Sequence, residues 1–431
     1  MRALIICSLL LLPAAGALGQ QTDIDPRIAK IIAEVSEQQL QSKLATLASF
    51  QTRHTLSSPD PAGKGIGAAR QWIFDEMMRS SPRLQVSFDS YRVPPQGDRI
   101  KSEIEIRNVM AVLPGRSPRR VYVSAHYDSR TVDVMAADAP APGANDDGSG
   151  TALTMELARL FGESGVEFDA TLVFIALAGE EQGLVGASLH VQRAAADKQP
   201  IEAVLNNDIV GGAVGGSGIG NGEVLRVFSD GPEDSPSRQL ARHTRKVAAR
   251  YVPSHKVELI ARYDRFGRGG DHTAFNQRGF AAVRLTEANE NYAKQHSGND
   301  TLDGVSFPYL AQNVRVNAAA LATLALAPPA PSTRNERGAP TLSREPSGYD
   351  AKLVWQASPW AGGYRIYWRA TWAPDWEHTM AVGNVTEYVL RNISIDDYVF
   401  GVAALGADGS ESLVSAYVNP PRQDILIKTI P

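Results

Sequence analysis

A chain of 431 residues is too long for one typical core and predicts two domains, at roughly 100 to 200 residues each. Its formal net charge of −4 leaves no broad basic field, which argues against a nucleic-acid partner. A hydrophobic share of 43% supplies a packed core but names no substrate.

The first residues, "MRALIICSLLLLPAAGALGQ", carry one Arg, an apolar run from Ala3 to Leu12, Pro13, and then small residues up to Gly19. That order predicts a signal peptide over 1–19, since the run falls short of the roughly 20 apolar residues that span a bilayer. The mature chain is therefore expected to be secreted or periplasmic, with no membrane span after leader removal. The single cysteine, Cys7, lies in the leader, so a processed chain holds neither a disulfide framework nor a cysteine nucleophile.

Apolar residues recur at helical spacing from Asp25 to Ser49 and again from Ile66 to Met78. Strand-like runs follow at Asn108–Leu113, Val121–Ala125, Thr171–Leu177, Ala203–Asn206, Val224–Ser229 and Ala281–Leu285. They alternate with helix-like stretches at Thr151–Phe161, Leu184–Ala195, Ser237–Arg250 and Tyr309–Leu326. This alternation predicts an α/β domain over 20–327, with a mostly parallel central sheet flanked by helices. In such a sheet ligands bind beyond the carboxyl ends of the strands. The stretch "APPAPST" reads as a linker over 328–339. From 340 to 431 the texture changes to short alternating runs, which predict a small all-β, immunoglobulin-like sandwich. Trp355, Tyr364 and Tyr398 resemble the core aromatics of a fibronectin type III module, expected to bind a surface, a polymer or the catalytic domain itself.

Charged residues collect where the strand-like runs end. Val121–Ala125 leads into His126 and Asp128; Thr171–Leu177 leads into Glu180 and Glu181; Ala203–Asn206 leads into Asp208. The loop "PGANDDGSGTA" sets Asp146 beside Asp147, and "KQHSGNDT" carries His296. Gathered at one rim, these acids would repel strongly. Only Arg130 adjoins them in sequence, so a pair of metal ions is the simplest counter-charge. Imidazole with carboxylate suits zinc, and an oxygen-rich set also accepts manganese or cobalt.

The ordered set "HYD", "NDDGSG", "GEEQGLVGA", "NNDIVG" and "QHSGNDT" resembles the aminopeptidase Y and bacterial leucyl aminopeptidase family of two-zinc exopeptidases, which also holds glutamate carboxypeptidases, transferrin receptors and glutaminyl cyclases. The likeness runs from about Leu47 to Leu326, with "FQTRHT" and "GGDHTAF" included, and implies a zinc-exopeptidase, phosphorylase/hydrolase-like fold. The resemblance implies two Zn2+ per chain: His126, Asp146 and Asp208 would hold one, and Asp146, Glu181 and His296 the other. It also implies that Glu180 is the general base and that Asp128 orients His126, while Asp147 satisfies loop amides. Gln295 stands where some members carry Tyr or His, which leaves Tyr292 and Arg268 as candidate oxyanion donors. Asp271 and His272 are expected to be structural or to lie behind the ligands, and His54, His190, His243, His255 and His378 have no ligand motif. Residues 130–142 are expected to shape a substrate lip, and the glycine-rich run after Asp208 is read as a rim loop.

The activity expected is hydrolysis of the N-terminal bond of peptides. Alternatives are a glutaminyl-peptide cyclase with one zinc, a carboxypeptidase of the same fold, and a receptor-like chain that has lost catalysis.

Overall fold

The computed structural model describes residues 24–345 and 348–418. The expected leader over 1–19, with Cys7, and the end of the expected sandwich at 419–431 lie outside these residues.

The stretch read as one helical run after Asp25 is two helices, α1 (Pro26–Ala33) and α2 (Glu37–Ser49). Cap chemistry divides them. The Asp25 carboxylate accepts the Arg27 amide and Pro26 opens α1; the Ser36 hydroxyl accepts the Gln39 amide and opens α2. Then come α3 (Ile66–Ser80), β1 (Gln85–Val93), β2 (Ile104–Leu113), β3 (Arg120–His126), α4 (Gly148–Glu163), β4 (Thr171–Leu177), α5 (Val185–Ala196) and β5 (Ile201–Asn207). The α/β part ends with β6 (Val224–Ser229), α6 (Pro236–Tyr251), β7 (Lys256–Ile260), α7 (His272–Asn276), β8 (Ala282–Glu287) and α8 (Phe307–Leu326).

Its eight strands form one sheet in the order β1-β2-β4-β3-β5-β8-β6-β7. The central four, β4, β3, β5 and β8, run parallel to their neighbours, whereas β2 against β4 and β6 against β8 are antiparallel. Every residue of β4 is buried, the mark of a strand covered on both faces. The carboxyl ends of β3, β4, β5 and β8 therefore share one edge of the sheet.

The C-terminal part has two antiparallel sheets. β9 (Leu342–Arg344), β10 (Asp350–Val354) and β13 (Glu387–Ser394) make one, and β11 (Gly363–Ala370), β12 (His378–Gly383), β14 (Tyr398–Leu405) and β15 (Ser415–Ala416) the other. Trp355 and Tyr364 are buried between them, with ring centroids 5.3 Å apart. Tyr398 is only half-buried; Phe400, two positions on, is the fully buried aromatic of that strand. This small β module packs on α6. Arg369, 1% exposed, donates to both oxygens of Asp234 at 2.8 and 2.7 Å, Trp376 Nε1 donates to Gln239, and Arg242 donates to the carbonyl of Pro374.

Candidate metal centre

His126 is the last residue of β3, and its ring is 2% exposed. Its Nδ1 lies 3.0 Å from the carbonyl oxygen of Asp128. Only an N–H can pair with a carbonyl, so this contact directs the Nε2 lone pair at Asp146 Oδ1, 3.4 Å away, and Asp208 Oδ1, 3.7 Å away. The carboxylate of Asp128, expected to orient the ring, has its Oδ1 3.7 Å from Nδ1 and also takes donors from two other segments. It accepts the Thr55 hydroxyl at 2.9 Å and the amides of Glu180 and Glu181 at 3.2 and 3.1 Å. Asp128 thus holds the turn after β4 in place, and meets His126 Nδ1 with its carbonyl oxygen at 3.0 Å and its carboxylate at 3.7 Å.

Asp146 and Asp147 sit at the start of α4 and point different ways. Asp147 caps the helix: its oxygens accept the amides of Gly150, His126 and Ile209 at 2.9, 3.2 and 3.2 Å. Asp147 lies close enough to His126 and Asp208 to enter a metal group by distance alone, but these three amides occupy it. Gly150 is required here, because a Cβ would fall 2.2 Å from the carbonyl oxygen of Asn207. Asp146 faces the other way, with Oδ1 toward His126 and Oδ2 3.1 Å from Nε2 of His296. The second side of His296 Nε2 meets Glu181 Oε1 at 3.4 Å. His296 adopts a left-handed φ of +52°, a conformation that costs free energy in a residue with a side chain and concentrates at functional sites.

The expected residues His126, Asp146, Glu181, Asp208 and His296 are therefore brought together at the shared edge of the sheet. One oxygen on each of three buried carboxylates, Asp146 Oδ2, Glu181 Oε1 and Asp208 Oδ1, has no hydrogen-bond partner among the described residues. Buried acceptors are seldom left unpaired, and these face two imidazole nitrogens. Two histidines with three carboxylates form a donor set that suits zinc.

The electrostatics show a cluster short of cations. Burial first, and then Glu181 and Asp208, push Glu180 up to about 8; burial first, and then Asp146, push Glu181 up to about 8. Burial disfavours charge on His126, yet its contacts with Asp128, Asp146 and Asp208 hold it well above the usual imidazole range. Asp208 is the exception. Burial works to raise it, but the Arg284 guanidinium, 2.6 Å away, holds it far below the ordinary carboxylate range.

Some functional side chains escaped the sequence. Arg284 on β8 sits inside an apolar run, and its charge amid that run was the available signal. Asp300, within "HSGNDT", accepts the amides of Asn145 and Asp146 at 3.0 and 2.9 Å. Fully buried Arg53, from "FQTRHT", donates to the carbonyls of Tyr127 (2.7 Å), Gly143 (2.8 Å) and Pro142, tying the β3 end to the Asp146 loop. Other candidates lie outside the ligand cluster. Tyr292 is 62% exposed, under the guanidinium of Arg268, which donates to Gln295 at 2.9 Å. His272 pairs with the carbonyl of Tyr263 at 2.7 Å, and both oxygens of buried Asp271 lack a partner among the described residues. His190 contacts Asp89, His255 contacts Asn313, His54 lies beside Gln182, and His378 stacks on Trp368. His243 is buried away from the cluster, held down to about 3 by burial.

Residues 108–321 match the family model described as peptidase family M28. A probable zinc metalloprotease of Pyrenophora teres f. teres is 37% identical over 425 residues, 90% of this chain and 86% of its own. The chain belongs to peptidase family M28. Another such relative, from Leptosphaeria maculans, is 38% identical over 423 residues, 90% of this M28 chain and 96% of its own. Among solved structures, the Legionella pneumophila LapA aminopeptidase superposes with a TM-score of 0.55 at 22% identity, covering 69% of this chain and 74% of its own. The Porphyromonas gingivalis glutaminyl cyclase does so at 0.54 and 15%, covering 67% and 98%. At these identities the structural likeness establishes the M28 fold alone. The M28 protein is a zinc metallopeptidase, and no helix among its described residues is long and apolar enough to cross a membrane.

Proposed function

We propose that this protein is an exported aminopeptidase that holds two zinc ions and removes N-terminal residues from peptides. The observation that carries the reading is Asp146, whose two oxygens aim at two different histidines, 3.4 and 3.1 Å away, with an unpartnered carboxylate oxygen beside each. His126, Asp146 and Asp208 would hold one ion, and Asp146, Glu181 and His296 the second. When bound, zinc polarises a carbonyl and lowers the pKa of water.

The protein's own groups do the rest. Glu180 lies beside Glu181 on the turn fixed by Asp128, and consecutive side chains diverge, so one is free to carry protons while the other coordinates. Its carboxylate takes a proton from the attacking water and returns it to the leaving amine. The buried carboxyl of Asp271, neither oxygen of which has a partner among the described residues, offers a polar group for a substrate α-amine, which supports exopeptidase action. The second group of ligand atoms supports hydrolysis over cyclisation, for which one zinc suffices.

The test is metal quantification together with turnover of aminoacyl arylamides. Two zinc ions per chain, and cleavage abolished by blocking the amine, are expected. Glu180→Gln should keep both ions and lose about 10²- to 10⁴-fold in kcat with little change in KM. Normal turnover by that variant would refute the assigned base.

A further inference from the structure

The three ligand carboxylates differ in how they treat their second oxygen. Asp146 turns both oxygens toward histidines. Glu181 and Asp208 each turn one inward and give the other to an arginine: Arg130 Nε lies 2.6 Å from Glu181 Oε2, and Arg284 Nη1 lies 2.6 Å from Asp208 Oδ2. The inward oxygens, Glu181 Oε1 and Asp208 Oδ1, lie 3.4 Å from His296 Nε2 and 3.7 Å from His126 Nε2. The arginines come from unrelated segments, the turn after β3 and the middle of β8. Each is itself anchored: Arg130 donates to the carbonyl of Thr131 at 3.0 Å, and Arg284 donates to those of Gly269 and Asp208, both at 3.3 Å.

We propose that Arg130 and Arg284 are positioning residues, one per metal, that hold the outer carboxylates to a single coordinating oxygen each and withdraw charge from them. The inference rests on the two-zinc reading above. A carboxylate with both oxygens free can chelate a small dication, and one whose second oxygen is held by a guanidinium cannot without breaking a charge-assisted bond. Three ligand carboxylates bring three negative charges to the centre, and these arginines return two positive ones. A guanidinium so near a dication also repels it. The pair therefore trades metal affinity for electron-poor, more strongly polarising ions.

This gives a sign opposite to that of a merely structural arginine, whose removal would loosen metal. The apo full-length protein is titrated with zinc against a chelating indicator at alkaline pH, where the carboxyls are ionised. Arg130→Met should tighten one of two binding steps by about tenfold or more, from the lost repulsion at an effective dielectric constant of about 20, and leave the other in place. Arg284→Met should tighten the other step. Arg130→Lys, which keeps the charge without the planar fork, should shift its step less. In the cobalt-loaded Arg130→Met protein, visible d–d absorption should weaken as the freed oxygen adds to the coordination number, while kcat falls. Loosening of both steps together, or no change in either, would overturn the proposal. Arg284 is fully buried, so if its variant does not fold, the Arg130 variants alone decide, because that side chain is 13% exposed. A wild-type chain that binds fewer than two ions overturns the two-zinc reading and this proposal with it; a contrary result in the variants overturns this proposal alone.

Discussion

Glu287 ends β8 as a fully buried acid with one satisfied oxygen. Its Oε2 accepts Asn145 Nδ2 at 2.9 Å and the Gly212 amide at 2.5 Å, and its Oε1 has no partner among the described residues. Burial pushes the carboxyl up to about 8; the two donors oppose this, and nearby Glu290 and Asp300 add to it. The folded chain therefore keeps a proton that the unfolded chain loses near the ordinary value of 4.5. For a group raised on folding, stability is fully present below the unfolded pKa and declines as pH rises through the folded one. The span from 4.5 to about 8, at about 1.4 kcal/mol per pH unit, gives up to about 5 kcal/mol. The neutral isostere Glu287→Gln removes this dependence. Urea unfolding of the metal-free protein, followed by circular dichroism, should find the two proteins similar near pH 5. Near pH 8 the variant should be more stable by about 2 to 5 kcal/mol, the lower figure allowing for relaxation around the charge. If the variant is the less stable near pH 8, the two donors outweigh burial and the reasoning fails.

Asp300→Ala leaves the buried amides of Asn145 and Asp146 without an acceptor, at about 1 to 3 kcal/mol each. Zinc affinity should fall by about 10- to 100-fold, read by competition with a chelator, and unchanged affinity would mean that Arg53 alone holds the loop. Arg369→Ala leaves Asp234, 9% exposed, to Arg242 at 3.3 Å, at the contact between the β module and α6, and should cost about 1 to 3 kcal/mol. Limited proteolysis should then release the module, while the folded fraction keeps its turnover of small arylamides; loss of turnover would tie the module to the active site.

The central strands were legible because they are largely buried and read as mainly apolar runs. β1 and β7 were not, because they lie at the sheet edges. In β1 the alternation of Val86 and Phe88 slips by one residue at Asp89-Ser90 before Tyr91 and Val93, and Val86, Phe88 and Tyr91 are only half-buried, while β7 is only five residues long. The division of α1 from α2 was hidden for a different reason. Apolar spacing continues across it, with Val35 buried in the gap, and the Ser36 cap decides the break. In the C-terminal module the aromatic pattern located Trp355 and Tyr364, but a period of two cannot tell Tyr398 from Phe400 on the same strand face, and depth in the sandwich selects the latter.

At the centre, sequence order supplied the candidate ligands, and hydrogen-bond partners sort the acids by task. Asp128, Asp147 and Asp300 each accept amides from the segments that carry the candidate ligands, so their charge goes into fixing backbone. Asp146, Glu181 and Asp208 each leave an oxygen bare. No spacing rule separates Asp146 from Asp147, since both follow the same loop and precede the same helix. What separates them is that Asp147 stands one residue before α4, where the Gly150 amide of the first turn, together with the amides of His126 and Ile209, meets its carboxylate. The residue before it cannot reach those amides and is left facing the histidines. Adjacent acids thus turn opposite ways, one into a helix cap and backbone amides and the other toward the two histidines.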